Sequence, residues 1–160
     1  MLNSVPPVMN YTDWDEVELD HWAKILREYP QFAEHCPWVK FNDCDWAYLL
    51  RVQPRFADRC KWDKLEGADW RFLLELQPQF ADRCAWDKLN GKDWSSLLKK
   101  QPQFADKCNW HLLSAEDYVF LLIEQPQFAE HCRWNDLNDL EWKLLLKSQP
   151  QFADKRTTKI

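Results

Sequence analysis

Proline stands at Pro6, Pro30, Pro54, Pro78, Pro102, Pro126 and Pro150, each 24 residues after the last. Other columns keep the same period. Phenylalanine follows two places on, at Phe32, Phe56, Phe80, Phe104, Phe128 and Phe152, and cysteine recurs at Cys36, Cys60, Cys84, Cys108 and Cys132. One tryptophan column is Trp14, Trp38, Trp62, Trp86, Trp110 and Trp134. A second is Trp22, Trp46, Trp70, Trp94 and Trp142, with Tyr118 in the gap. Self-similarity at a fixed period of this length is the signature of stacked repeats, in which a unit too small to bury its own apolar face is completed by its neighbours.

The unit reads as helix. Two glycines in the whole chain leave little room for the positive-φ turns of β-hairpins, and period-2 alternation is absent. From Asn90 to Lys100, Trp94, Leu97 and Leu98 share one apolar face, and Pro102 stops the helix. Asn90 is a good N-cap, and Asp93 follows at capping-box spacing. The same pair of columns recurs as Asn42/Asp45, Glu66/Asp69, Ser114/Asp117 and Asn138/Glu141. Leu89 and Trp94 stand where a hydrophobic staple would form. Pro102 also suits the first position of a second helix running to about Cys108, with Phe104, Ala105 and Cys108 inward. A single turn at Asn109–Leu113 closes the unit.

The expected fold is therefore all-α: an α-solenoid, a superhelical stack of short helix pairs forming one elongated domain. Residues 1–29 read as a degenerate N-terminal capping repeat, in which Pro6 and Val8 match Pro30 and Phe32 and Thr12 replaces the cysteine. Residues 30–149 hold five full repeats. Residues 150–160 form a C-terminal half-repeat or cap, with Arg156 and Thr158 in the cysteine and tryptophan columns. Tandem helical units of this period resemble the bacterial leucine-rich-repeat-variant class, which alternates α- and 3-10 helices. That class lacks the Gln-Pro-Gln-Phe-Ala-Asp-x-Cys-x-Trp phrase, so the resemblance implies a fold and no ligand or site. Tetratricopeptide and ankyrin units are longer and carry other signatures.

Chemistry is harder to find. Cysteines one layer apart lie too far from each other for a disulfide, and no paired ligands at zinc spacing occur. The cysteine column reads as a small buried apolar position, and Cys44 alone is off the period. The four histidines, His21, His35, His111 and His131, fall in unrelated columns. His35 and His131 replace Arg or Lys on what reads as an exposed helix face. No phosphate loop, Ser-His-Asp order or His-Glu-x-x-His motif appears. The expectation is no enzyme, no cofactor and no metal. The net charge of −5, without a basic stripe, disfavours nucleic acid. No apolar run is long enough to cross a membrane. Met1–Val8 lacks the charge and apolar stretch of a signal peptide, and reduced thiols suggest a cytoplasmic setting.

Positions that vary among near-identical repeats carry the functional signal. Two places after the second tryptophan column, on the helix side opposite the leucines, stand Lys24, Tyr48, Phe72, Ser96, Phe120 and Leu144. Six places after it stand Glu28, Val52, Leu76, Lys100, Glu124 and Ser148. Tyr48, Val52, Phe72 and Leu76 are expected to cluster, with Phe120 and Leu144 as a second group. Three readings stay open: a row that binds a protein or peptide partner, core between layers, and self-association. A carbohydrate-binding protein using its aromatic rows is the alternative from another class.

Overall fold

The computed structural model describes Trp14 and residues 17–156, without the side chain of Asp20. The proposed landmarks Pro6, Val8, Thr12 and Thr158 lie outside them. The fold is all-α and repetitive, with no strand among the described residues. Six α-helices recur: α1 (Leu19–Glu28), α2 (Asp43–Val52), α3 (Gly67–Leu74), α4 (Gly91–Lys100), α5 (Ala115–Glu124) and α6 (Asp139–Ser148). None is long and apolar enough to cross a membrane.

Two compact units divide the chain, Met1–Lys64 and Leu65–Ile160. In the first, α1 packs on α2. In the second, α3 packs on α4, α4 on α5 and α5 on α6.

Local sequence explains each start. Asn42, Asn90, Ser114 and Asn138 accept from the backbone N–H three residues on, and the acid there accepts from the cap residue's own N–H. In α3 the return bond runs from the Glu66 N–H to Asp69 Oδ2 at 3.1 Å. The staple is visible in α2, where the Phe41 and Trp46 rings lie 5.2 Å apart. α1 departs from the pattern, since Glu18 makes no side-chain cap bond.

Between α-helices the chain is 3-10, which corrects the expected seven-residue second helix. It spans six residues, as in Pro102–Lys107, and Trp110–Leu112 forms a further 3-10 turn. The bonds are i→i+3, such as Phe104 N–H to the Gln101 carbonyl at 3.2 Å and Leu113 N–H to the Trp110 carbonyl at 3.3 Å. A run this short closes more bonds with i→i+3 than with i→i+4 pairing, and the extended Cys108 ends it. Phe104 is buried, whereas Ala105 and Cys108 are half-buried. Leu113 turns inward and Leu112 outward.

The core is the second tryptophan column together with the leucine pairs and the phenylalanines. Trp22, Trp46, Trp70, Trp94, Tyr118 and Trp142 are all buried. The first column is half-buried and bridges: Trp86 stacks on Trp94 at 5.4 Å and meets Phe104 at 5.3 Å, and Trp38 does the same with Trp46 and Phe56.

The Gln-Pro-Gln phrase supplies a polar clamp between layers. Gln101 caps α4, and its Nε2 donates to the Glu75 carbonyl at 2.8 Å, just beyond α3. Gln125 and Gln149 repeat this with the carbonyls of Lys99 and Ile123, and Gln53 does so with Arg27 in the first unit. The next glutamine orients the clamp, since Gln103 Nε2 donates to Gln101 Oε1 at 2.6 Å and Gln127 to Gln125 likewise. Each clamp fills an orphan carbonyl at a helix C-terminus. Gln125→Leu should therefore lower stability by about 1–3 kcal/mol, the range for a buried acceptor left unmatched. Urea denaturation followed by circular dichroism would measure it, and Gln127→Leu should cost less.

Candidate interaction surface

Helix geometry places the variable positions outside. In the first unit Tyr48 is 45% exposed and Val52 half-buried on α2. A concavity of about 380 Å³ lies beside Tyr48, lined by Leu19, Ala23, Lys24, Arg27, Cys44 and Asp45. In the second unit Phe72 is half-buried, and Leu76, just past the end of α3, is 57% exposed. Phe120 is 45% and Leu144 40% exposed on α5 and α6, which pack directly on each other. Ser96 of α4 is half-buried and stands in the same column between Phe72 and Phe120. The expected Tyr48, Val52, Phe72 and Leu76 group is thus divided between the two units. The exposure of Tyr48, Phe120 and Leu144 separates this column from the residues three and four places after each second-column ring, which are buried from Ile25 to Leu145, with Leu146 half-buried.

Sequence reasoning missed Leu140, which is 75% exposed one turn before Leu144. The equivalent residues are Asp20, Cys44, Ala68, Lys92 and Glu116, polar or small throughout, so the column carries no signal of a large apolar side chain. Val39 and Leu112 are exposed on 3-10 turns, another class of position that the helix-face argument does not address.

His35 is exposed as expected, whereas His131 is half-buried. His131 lies flat on Trp110, with ring centroids 3.9 Å apart and planes 10° apart, and His35 stacks on Trp14 at 4.7 Å. Arg59 takes the same place over Trp38 at 5.2 Å. A cationic or aromatic group over the open face of an indole is favourable, so these side chains cover the half-buried tryptophans. The signal was present: every residue in that column is His, Arg or Lys, 21 places after a first-column tryptophan in each complete repeat.

No disulfide joins the six cysteines. Burial pushes the thiols of Cys36, Cys84, Cys108 and Cys132 up to about 12. They stay protonated at neutral pH, and the thiol is the poor nucleophile of the pair. Among the described residues no group of three His, Cys, Asp or Glu side chains could hold a metal ion. Acidic residues at helix starts are engaged in capping, as Asp93 and Asp117 show. The arrangement offers apolar surface for contact.

Comparison of the chain with protein-family models, curated proteins and solved structures finds no match.

Proposed function

We propose that the chain is a non-enzymatic protein-interaction module whose α-helices present outward apolar side chains to a protein or peptide partner. The observation that carries this reading is the group Phe120, Leu140 and Leu144, three large apolar residues exposed on two directly packed helices. Apolar patches of this kind mark contact sites more often than catalytic ones, and aromatic anchors dominate binding energy at interfaces. Tyr48 offers an equivalent anchor in the first unit. The alternation of α- and 3-10 helices within 24 residues supports a likeness in build to the leucine-rich-repeat-variant class. Thiols without disulfides support a cytoplasmic setting.

Sugar binding by the aromatic rows draws less support. Second-column rings are buried, and the first-column rings of Trp14, Trp38, Trp86, Trp110 and Trp134 pack against protein rings, with His or Arg also over Trp14, Trp38 and Trp110.

The test uses the whole chain with a benzophenone side chain at position 140 and capture from cells of its source. The expected result is a discrete cross-linked protein that disappears in Phe120→Asp/Leu144→Asp, while helicity and melting temperature hold. The milder Phe120→Ser/Leu144→Ser pair serves if the aspartates unfold the protein. An unchanged cross-link in a folded variant would show that this row is not the contact.

A further inference from the structure

Two sets of helix positions vary among the repeats of the second unit. One set meets the neighbouring repeat and is answered there. Arg71 Nε lies 3.6 Å from Asp93 Oδ1, Lys99 Nζ lies 3.6 Å from Glu124 Oε1, and Ser95 and Val119 are buried. The other set is the outward stripe. It falls two places before, two places after and six places after each second-column ring, so its members stand four residues apart and share one side of the helix.

The stripes differ in chemistry from one repeat to the next. On α3 and the turn after it the stripe is apolar, with Phe72 half-buried and Leu76 exposed. On α4 it is basic, with Lys92 and Lys100 on either side of the small Ser96. Both lysines are exposed, and neither has an ion-pair partner among the described residues. On α5 the exposed ring of Phe120 stands between Glu116 and Glu124. Glu116 likewise has no ion-pair partner among the described residues. An aromatic ring with a carboxylate on each side suits the side chain of lysine or arginine. On α6 the stripe is apolar again, with Leu140 and Leu144 exposed.

We propose that these stripes take an extended segment of a partner protein in the polyproline-II conformation, one residue per repeat, in the order apolar, acidic, basic, apolar from α3 to α6. This rests on the reading of the outward row as a protein contact and names what that row takes. Spacing selects the conformation. The four helices pack in sequence, and packed helices lie about 8–10 Å apart. A polyproline-II chain has three residues per turn and rises about 3.1 Å per residue, so every third side chain points the same way about 9 Å further on. In a β-strand every third side chain would face the opposite side. An α-helix needs about six residues to advance 9 Å, and after them its side chains have turned away. Charge selects the middle of the motif: the unanswered lysines of α4 call for a carboxylate, and Phe120 with its glutamates calls for a cation. Opposite signs on adjacent helices also repel a polyanion at α5.

The test selects random dodecapeptides displayed on phage against the full chain. Enriched peptides should carry an acidic and a basic residue three places apart, with an apolar residue three places beyond each. Against Lys92→Glu/Lys100→Glu the acidic position should become Lys or Arg while the others hold, and against Glu116→Lys only the basic position should weaken. A fluorescein-labelled consensus peptide, followed by anisotropy, should bind Lys92→Glu/Lys100→Glu about tenfold or more weakly and recover when its acid is replaced by lysine. If charge reversal lowers helicity, Lys92→Gln/Lys100→Gln should lose the acidic preference without gaining a basic one. Enriched peptides that need Phe120 and Leu144 but ignore the lysines would keep the row as a contact and overturn this assignment. A selection that returns no peptide would overturn it too, while a cross-link from position 140 would still uphold the protein contact. A dimer in sedimentation that Lys92→Glu/Lys100→Glu abolishes would make the occupant a second copy, and would also overturn it.

Discussion

Trp94→Ala lowers the stability of the second unit by about 3–5 kcal/mol, the range for removing a large aromatic side chain from a core. Trp94 is 1% exposed, and its ring stacks on Trp86 at 5.4 Å. Its indole N–H is buried without an acceptor among the described residues, as are those of Trp22 and Trp46. Truncation therefore forfeits no hydrogen bond, and the loss is packing and cavity alone. Against a typical total of about 5–15 kcal/mol for a domain, that loss leaves the native state marginal. Trp94→Tyr should be far milder. Tyr118 already fills the column, stacks on Trp110, and donates its hydroxyl to the Trp110 carbonyl at 2.9 Å. Equilibrium urea unfolding of the three proteins, read by circular dichroism, decides the matter. A loss under about 1 kcal/mol for Trp94→Ala would mean that the column does not carry the core.

The tryptophan and leucine columns were legible because burial on one helix face leaves a period in the sequence. The Asn90/Asp93 capping pair and its equivalents were legible because two side chains satisfy two backbone groups at fixed spacing. Reading failed where bonds cross from one repeat to the next. Gln101 reaches 26 residues back to Glu75, and His131 covers a tryptophan 21 residues back. Such offsets differ from the period by a few residues, so column alignment displays the residue and hides its partner. Hydrogen-bond pattern was also out of reach: Pro102 and Phe104 fit the start of an α-helix or a 3-10 helix equally, and the short run selects the latter. For the candidate surface, the helix angle placed Phe120 and Leu144 opposite the leucines but left open what covers them. Leu140 escaped because its column is otherwise polar or small.

Gly91→Ala destabilises the protein although helix propensity alone argues the reverse. Alanine in place of glycine favours a helix by at most about 1 kcal/mol, and less in the first turn. Gly91 has no positive φ, so nothing in its backbone requires glycine. Space does. A Cβ built there would lie 2.3 Å from the Leu112 carbonyl oxygen and 2.7 Å from Asp117 Oδ2. Neither group can yield cheaply. The carbonyl belongs to the 3-10 turn Trp110–Leu112, whose next residue is the buried Leu113, and Asp117 completes the Ser114 capping box of α5. Relief of the clash would shift the start of α4 from the following repeat and loosen the seam where Leu98 is buried. Overpacking of this kind is worth about 1–3 kcal/mol, which outweighs the propensity gain. Gly67→Ala should behave alike, since its Cβ would meet the Lys88 carbonyl oxygen at 2.3 Å and Asp93 Oδ2 at 2.9 Å. Ala115 holds the same column in α5 with a Cβ in place, so Ala115→Gly should lower stability only by the propensity difference. Thermal melts of the three variants separate the two effects by sign: propensity predicts that both glycine replacements raise the midpoint, and the close approach predicts that both lower it.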